Sequence, residues 1–209
     1  FPGNFDRNTP VTNLLENPVD ARYVRFVVQS WEWRIAMRVE IVGCNTICPR
    51  LLGMESGAIP DDSITASSTN INIFMPYYGR LHSMVEGGAW VAKYSTIGQW
   101  LQVNLGEMKR VMGTIIQGRF IRFLSSDDQW VTSYKLQYST DRISWTTYTG
   151  NNGSEMVFPG NADRCLPVTN LLDDPVDARY VRFLPQSWHG NIAMRVEIVG
   201  CNTSRFQSR

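Results

Sequence analysis

The chain repeats part of itself, and that repeat governs how the rest can be divided into folding units. Residues 1–46 align without a gap on residues 158–203, and 36 of the 46 pairs are identical. Val11-Thr12-Asn13-Leu14-Leu15 returns as Val168-Thr169-Asn170-Leu171-Leu172, and Ala36 to Thr46 returns unchanged as Ala193 to Thr203. Both copies run to a cysteine, Cys44 or Cys201, whereas the stretch opening at Cys48 has no counterpart upstream. The order is therefore tail, head, tail. We read residues 48–201 as one complete unit, residues 1–44 as the C-terminal part of a preceding one, residues 45–47 as a linker and residues 202–209 as a tail.

At 209 residues, with 43% hydrophobic and 11% aromatic content, the chain can bury a sizeable core. Twenty basic residues against nineteen acidic ones leave a net charge of +1, too little to gather a nucleic acid by long-range attraction, so no nucleic-acid partner is expected. No apolar run approaches the roughly 20 residues that span a bilayer. The opening Phe1-Pro2-Gly3-Asn4 is not a signal peptide, and the sequence reads as a mature or excised fragment. Cysteines at 44, 48, 165 and 201 fit neither the paired spacing of a zinc site nor a redox Cys-x-x-Cys, so disulfides are the better reading. With the sequons at Asn152 and Asn202, this points to a secreted or cell-surface protein.

Within residues 48–201, short alternating runs are punctuated by Gly, Pro, Asn, Asp and Ser. Leu101, Val103 and Leu105 share one face of a strand, as do Tyr134, Leu136 and Tyr138. Many short strands and no long amphipathic helix give an all-β antiparallel sandwich or barrel.

The sequence words then become specific. Leu52-Gly53-Met54-Glu55-Ser56-Gly57-Ala58-Ile59-Pro60, Gly88-Ala89-Trp90, Trp100-Leu101-Gln102-Val103-Asn104-Leu105-Gly106, Phe158-Pro159-Gly160-Asn161 and Ile192 to Cys201 follow one another as in the discoidin, or coagulation factor V/VIII type C, domain, which this chain resembles. The resemblance implies a jelly-roll sandwich of about eight strands, galactose-binding-like in class, with Cys48 joined to Cys201. Such a bridge would stabilise the domain by roughly 2 to 5 kcal/mol. Two positions depart from the family pattern. Arg142 follows Asp141 where a glycine is usual, which argues against a tight turn there, and Cys165 stands opposite Asn8 as an unpaired extra.

The resemblance also implies that ligand is met by loops at one end of the sandwich, here Thr69–Tyr78, Val91–Gly98 and Phe120–Asp128. The first loop carries Ile71, Ile73, Phe74, Met75, Tyr77 and Tyr78 without a charge; the second offers Lys93 and Tyr94; the third interleaves Arg119 and Arg122 with Phe120 and Phe123. Apolar tips beside cations suit an anionic phospholipid membrane, where the tips enter the apolar layer and the cations meet phosphate. Burying two large side chains would contribute about 3 to 6 kcal/mol. The alternatives are a cell-surface glycan, with Tyr77, Tyr78, Tyr94, Arg119 and Arg122 as a platform, a protein ligand, or simple packing of the loops on one another. The second loop has no acidic residue, which disfavours recognition of a terminal arginine.

Catalysis is not expected. Only His82 and His189 could serve as histidine bases, no nucleophile elbow, P-loop or His-Glu-x-x-His occurs, and the carboxylate pairs at 61–62, 127–128 and 173–174 sit in turn-like surroundings. No cofactor is expected, and no EF-hand spacing calls for calcium. Trp100, Trp130, Trp145 and Trp188 fall in framework runs and are expected in the core. Residues 1–44 cannot bury their apolar face alone and could replace residues 158–201 on the body or exchange strands with another chain; the authentic tail is the favoured occupant of the body, because it keeps the Cys48–Cys201 bridge and needs no rearrangement.

Overall fold

The computed structural model describes residues 1–13, 23–39, 41, 49–85, 87–120 and 128–203. Cys44, the linker 45–47, Cys48 and residues 204–209 lie outside the described residues, as do Arg122 and Phe123 of the third loop. The chain divides into two compact units, Phe1–Asn45 and Thr46–Arg209.

The first unit has no helix or strand among its described residues. Local structure survives where the sequence supplies its own partners. The Asp6 carboxylate accepts the amides of Asn8 and Thr9, and Asp163 accepts those of Cys165 and Leu166 at the matching place in the second copy. These backbone bonds hold both carboxyl groups below the usual aspartate range.

The second unit is an antiparallel jelly-roll sandwich. Its strands are β1 (Arg50–Leu51), β2 (Ile64–Ala66), β3 (Trp90–Val91), β4 (Leu101–Gln117), β5 (Trp130–Ser139), β6 (Thr146–Thr147), β7 (Phe158–Pro159), β8 (Val168–His189) and β9 (Ala193–Asn202). Two of them are long because each serves two layers. The first arm of β4 pairs with β2 through Leu101–Val103, and its second arm pairs with β9 through Lys109–Gln117. The corner between Asn104 and Lys109 breaks the register and contains Gly106 at φ +80°. β8 makes the same transition, pairing with the second arm of β4 through Val168–Ala178 and with β5 through Tyr180–His189.

The arms close on a single core that includes Leu101, Val103, Val111, Tyr134, Phe183 and Met194. Leu101, Val103 and Leu105 on β4 and Tyr134 and Leu136 on β5 are buried as expected, but Gln102 is buried between the first two and Tyr138 is only half-buried. The Tyr134 hydroxyl keeps its partners inside, bonding Thr114 at 2.6 Å and accepting from the Asn170 amide at 3.1 Å, while burial pushes its pKa up to about 12.

Three of the four tryptophans expected in the core depart from expectation. Trp188 is half-buried and packs against the core, whereas Trp100, Trp130 and Trp145 are half-buried elsewhere. The Arg182 guanidinium lies between the rings of Trp100 and Trp145, at 4.3 and 3.7 Å, and Trp130 stacks on His189 at 4.2 Å. An amphipathic indole can pack its face while keeping its edge wet, which framework position alone does not distinguish. Cys201 is disulfide-bonded, with its partner outside the described residues, and Cys165 is free and exposed.

As expected, Asp141-Arg142 does not form a two-residue hairpin, since six residues, 140–145, connect β5 to β6, but Arg142 does tolerate the backbone conformation expected to exclude it. It adopts φ +70°, the left-handed conformation that glycine would take. The turn is held by its neighbours: the Ser139 hydroxyl oxygen accepts the Arg142 amide at 2.9 Å, and the Asp141 carboxylate accepts those of Ile143 and Ser144 at 2.8 Å each. Arg142→Gly should therefore raise stability by about 1 kcal/mol in denaturant unfolding. The backbone bonds from Ser144 and Ile143 hold the Asp141 carboxyl at about 2 instead of 3.8. Because the folded value is depressed, this contribution is complete above the unfolded pKa and disappears as pH falls through the folded one. Between about pH 4 and 2 the parent protein should lose stability more steeply than Asp141→Asn, as acid-titrated unfolding curves would show.

Candidate functional site

The bends of β4 and β8 return their ends to one pole. A Cβ at Gly79 would lie 3.1 Å from the Leu101 side chain and 3.3 Å from the Met194 carbonyl oxygen, and the next residue of β9, Arg195, pairs with Gln117. Both ends of β4 thus meet beside the start of β9. Trp130 pairs with His189, which brings the end of β8 to the same place.

The connecting loops are tied to one another there by backbone and side-chain hydrogen bonds. The Asn70 amide donates to the Val91 carbonyl at 3.0 Å, joining the first loop to the second. The Ser95 hydroxyl donates to the Asn191 side chain at 3.2 Å and accepts the Ile192 amide at 3.1 Å, joining the second loop to the β8–β9 turn. Phe120 donates its amide to the Gly88 carbonyl at 3.0 Å, and Arg119 donates its amide to the Gln129 carbonyl at 3.0 Å. Gly87 and Gly88, at φ +85° and +70°, form the hub: a Cβ on Gly87 would collide with the Ile73 carbonyl oxygen, and one on Gly88 with that of Phe120.

Beneath this hub lies Arg195, only 3% exposed. Its guanidinium donates to the carbonyls of Gly118 at 2.6 Å, Ser83 at 3.0 Å and Arg164 at 3.1 Å, which belong to three different loops. Desolvation lowers its pKa to about 10, so it remains cationic at neutral pH. Arg164 in turn pairs with Asp128 at 2.7 Å, fastening the end of the third loop.

The expected site residues separate into three groups. Lys93 and Tyr94 are exposed on the second loop, the ammonium 5.3 Å from the ring centroid, and Ile71 and Ile73 are exposed on the first. Met75, Tyr77, Tyr78 and Phe120 are half-buried, with Tyr77 and Tyr78 in edge contact at 4.6 Å. Phe74 and Arg119 contradict the expectation of free tips. Phe74 is 8% exposed and packs with Val91 and Ala193, and Arg119 lies over its ring at 4.6 Å while donating to the Gly87 carbonyl at 2.9 Å and the Gln129 side chain at 3.0 Å. This pair cements the pole from within.

Sequence reasoning missed the loop after Leu81, where Met84 is 69% and Val85 49% exposed. Its signal was available: two adjacent apolar residues inside the polar and glycine-bounded run Ser83 to Gly88. Ile97, 62% exposed on the second loop, belongs with them. Among the described residues no cluster of three or more potential metal ligands occurs, and no helix is long and apolar enough to cross a membrane.

The F5/8 type C domain pattern matches residues 1–41 and 63–198. The chain belongs to that family. Lactadherin of Rattus norvegicus is 38% identical over 209 residues, 96% of this chain and 48% of the relative. The EGF-like repeat and discoidin I-like domain-containing protein 3 of Homo sapiens is 39% identical over 212 residues, 96% of this chain and 43% of the relative. The chain thus spans about half the length of these relatives or less. Discoidin II of Dictyostelium discoideum shares the fold, with a TM-score of 0.59, 24% identity and coverage of 69% of this chain and 56% of that one.

The hub predicts a measurable weakness. Gly88→Ala forces apart the Gly88 and Phe120 backbones and should destabilise the second unit by about 1 to 3 kcal/mol. Hydrogen exchange should quicken first at residues 70–79 and 118–120; an unchanged exchange pattern would show that these loops are not held through this contact.

Proposed function

We propose that the second unit is an extracellular, non-catalytic adhesion module that docks through its loop pole on an anionic phospholipid surface. The observation that carries this reading is the set of exposed apolar side chains at that pole, Ile71, Ile73, Met84, Val85, Tyr94 and Ile97, beside the exposed Lys93. They stand on a backbone locked from below by Arg195 and by the Gly87-Gly88 hub. Rigid loops lose little entropy on insertion, so apolar area removed from water is retained as binding free energy. Lys93 supplies the charge that favours a negative surface over a neutral one. A protein ligand would use the same exposed tips.

A carbohydrate platform has less support. Tyr77 and Tyr78 turn their edges to each other while half-buried, and Arg119 spends its Nε–H on Gly87 and an Nη1–H on Gln129 inside the pole, which leaves Tyr94 as the exposed ring of that set. Under the same proposal residues 1–44 are the closing part of a preceding domain of this kind, and Cys201 is bonded to Cys48, joining the two ends of the complete unit.

Sedimentation with vesicles containing phosphatidylserine tests this reading. The protein should bind them and leave neutral phosphatidylcholine vesicles in suspension. The combined variant Ile71→Ser, Ile73→Ser, Met84→Ser and Ile97→Ser should weaken binding at least ~100-fold, since half-burying each side chain contributes about 1 kcal/mol. Undiminished binding by a folded variant would remove the insertion mechanism, and selective binding on a glycan array would favour the alternative.

A further inference from the structure

Two asparagines stand in the triplet that accepts an N-linked glycan, Asn152-Gly153-Ser154 and Asn202-Thr203-Ser204, and the fold treats them differently. Residues 149–155 form a hairpin between β6 and β7. Thr149 bridges Glu155, the Gly150 amide donates to the Ser154 carbonyl at 3.0 Å, and the Gly153 amide donates to the Gly150 carbonyl at 2.9 Å. Asn152 and Ser154 are both exposed at its tip. The Asn152 side-chain oxygen accepts the Ser154 amide at 3.0 Å, whereas its Nδ2 donates to no described residue. The neighbouring Gly153, at φ +75°, leaves the tip open, since a Cβ there would meet nothing within 4 Å.

Asn202 is clamped. It closes β9 in register with Lys109, and its side-chain oxygen accepts the Lys109 ammonium at 2.7 Å and the Arg50 guanidinium at 3.1 Å. On one side the Thr203 hydroxyl donates to the Met108 carbonyl at 3.0 Å, and on the other Cys201 is disulfide-bonded. A transferase must draw the acceptor asparagine away from its surroundings and present the amide nitrogen. At Asn202 that breaks the ladder, both cation contacts and the threonine bond together, whereas at the hairpin tip it breaks one exposed side-chain bond.

We propose that Asn152 is a site of N-glycosylation and that Asn202 is not. In the transfer, the Asn152 Nδ2 attacks C1 of the first sugar of a lipid-linked oligosaccharide pyrophosphate. The N–C1 bond forms as the C1–O bond breaks, the pyrophosphate leaves with the bonding pair, and one amide proton passes to a base on the transferase. The proposal rests on the extracellular reading, because that chemistry belongs to the secretory route, and is independent of what the loop pole binds. The glycan stands clear of that pole. Asn151 and Gly153 line a cavity of about 300 Å³ with Tyr138, Asp174 and Val176, beside the middle of β8, whereas Val168 and His189, the ends of β8, lie by the pole. Sugar thereby covers one flank of the second unit and leaves Ile73, Met84 and Ile97 open to a ligand.

Secretion of the full chain from animal cells behind a secretion leader tests this without vesicles, so the outcome is separate from the membrane reading. Enzymatic release of N-glycans in heavy-oxygen water converts each occupied asparagine to a labelled aspartate, which peptide mass mapping locates. The label should fall at position 152 alone. Asn152→Gln and Ser154→Ala should each abolish the mobility shift that the enzyme produces, Ser154→Thr should keep it, and Asn202→Gln should leave it unchanged. The proposal is overturned if the secreted protein carries no releasable glycan, if label appears at position 202, or if Ser154→Ala retains the glycan. Because the leader supplies the route, absence of glycan speaks against the site and not against the extracellular reading.

Discussion

A buried guanidinium holds the loop pole together. A cation withdrawn from water must recover its hydration from fixed dipoles, and Arg195 does so through three carbonyls on three loops that are far apart in sequence. Removing it would leave those carbonyls without their donor and the loops without a common anchor. β9 carries a second buried charge two residues on. The carboxylate of Glu197, fully buried, accepts the amides of Gly53, Met54, Glu55 and Ile198 at 2.8 to 3.3 Å and so fixes the opening segment of the unit. One strand thereby positions both the loops and the start of the domain.

The frame therefore makes few demands on the side chains at the loop tips. Strand pairing and the two charges on β9 are served almost entirely by backbone groups, so the side chains at the loop tips are free to change without loosening the frame. The position of Arg119 over Phe74 illustrates the limit of that freedom. Two residues inside the loops are themselves part of the frame, and altering them would disturb neighbouring tips instead of removing a single contact.

Much of the fold was legible because period-two alternation and glycine-punctuated turns report burial directly, as at Tyr134 and Leu136 on either side of the less buried Lys135. The site was legible only as a region. A run such as Ile71 to Tyr78 does not reveal which apolar side chain turns inward, because short 3₁₀ turns at Asn72–Phe74 and Pro76–Gly79 replace the strand period there. Phe74 turned inward while Ile71 and Ile73 stayed out. Arg142 escaped the expectation based on glycine because Ser139 and Asp141 together satisfy the amides of its turn.

The central claim is that one pole, and not the sandwich as a whole, meets the bilayer. Its most direct measurement is fluorescence from an environment-sensitive label placed singly at residue 73, 84 or 97, and at residue 151 or 173 away from that pole, in a Cys44→Ser/Cys165→Ser background. On adding phosphatidylserine vesicles, the labels at 73, 84 and 97 should shift to the blue and become accessible to quenchers carried in the acyl chains, while those at 151 and 173 remain aqueous. Equal shifts at both sets of positions, or shifts confined to the second set, would contradict the account.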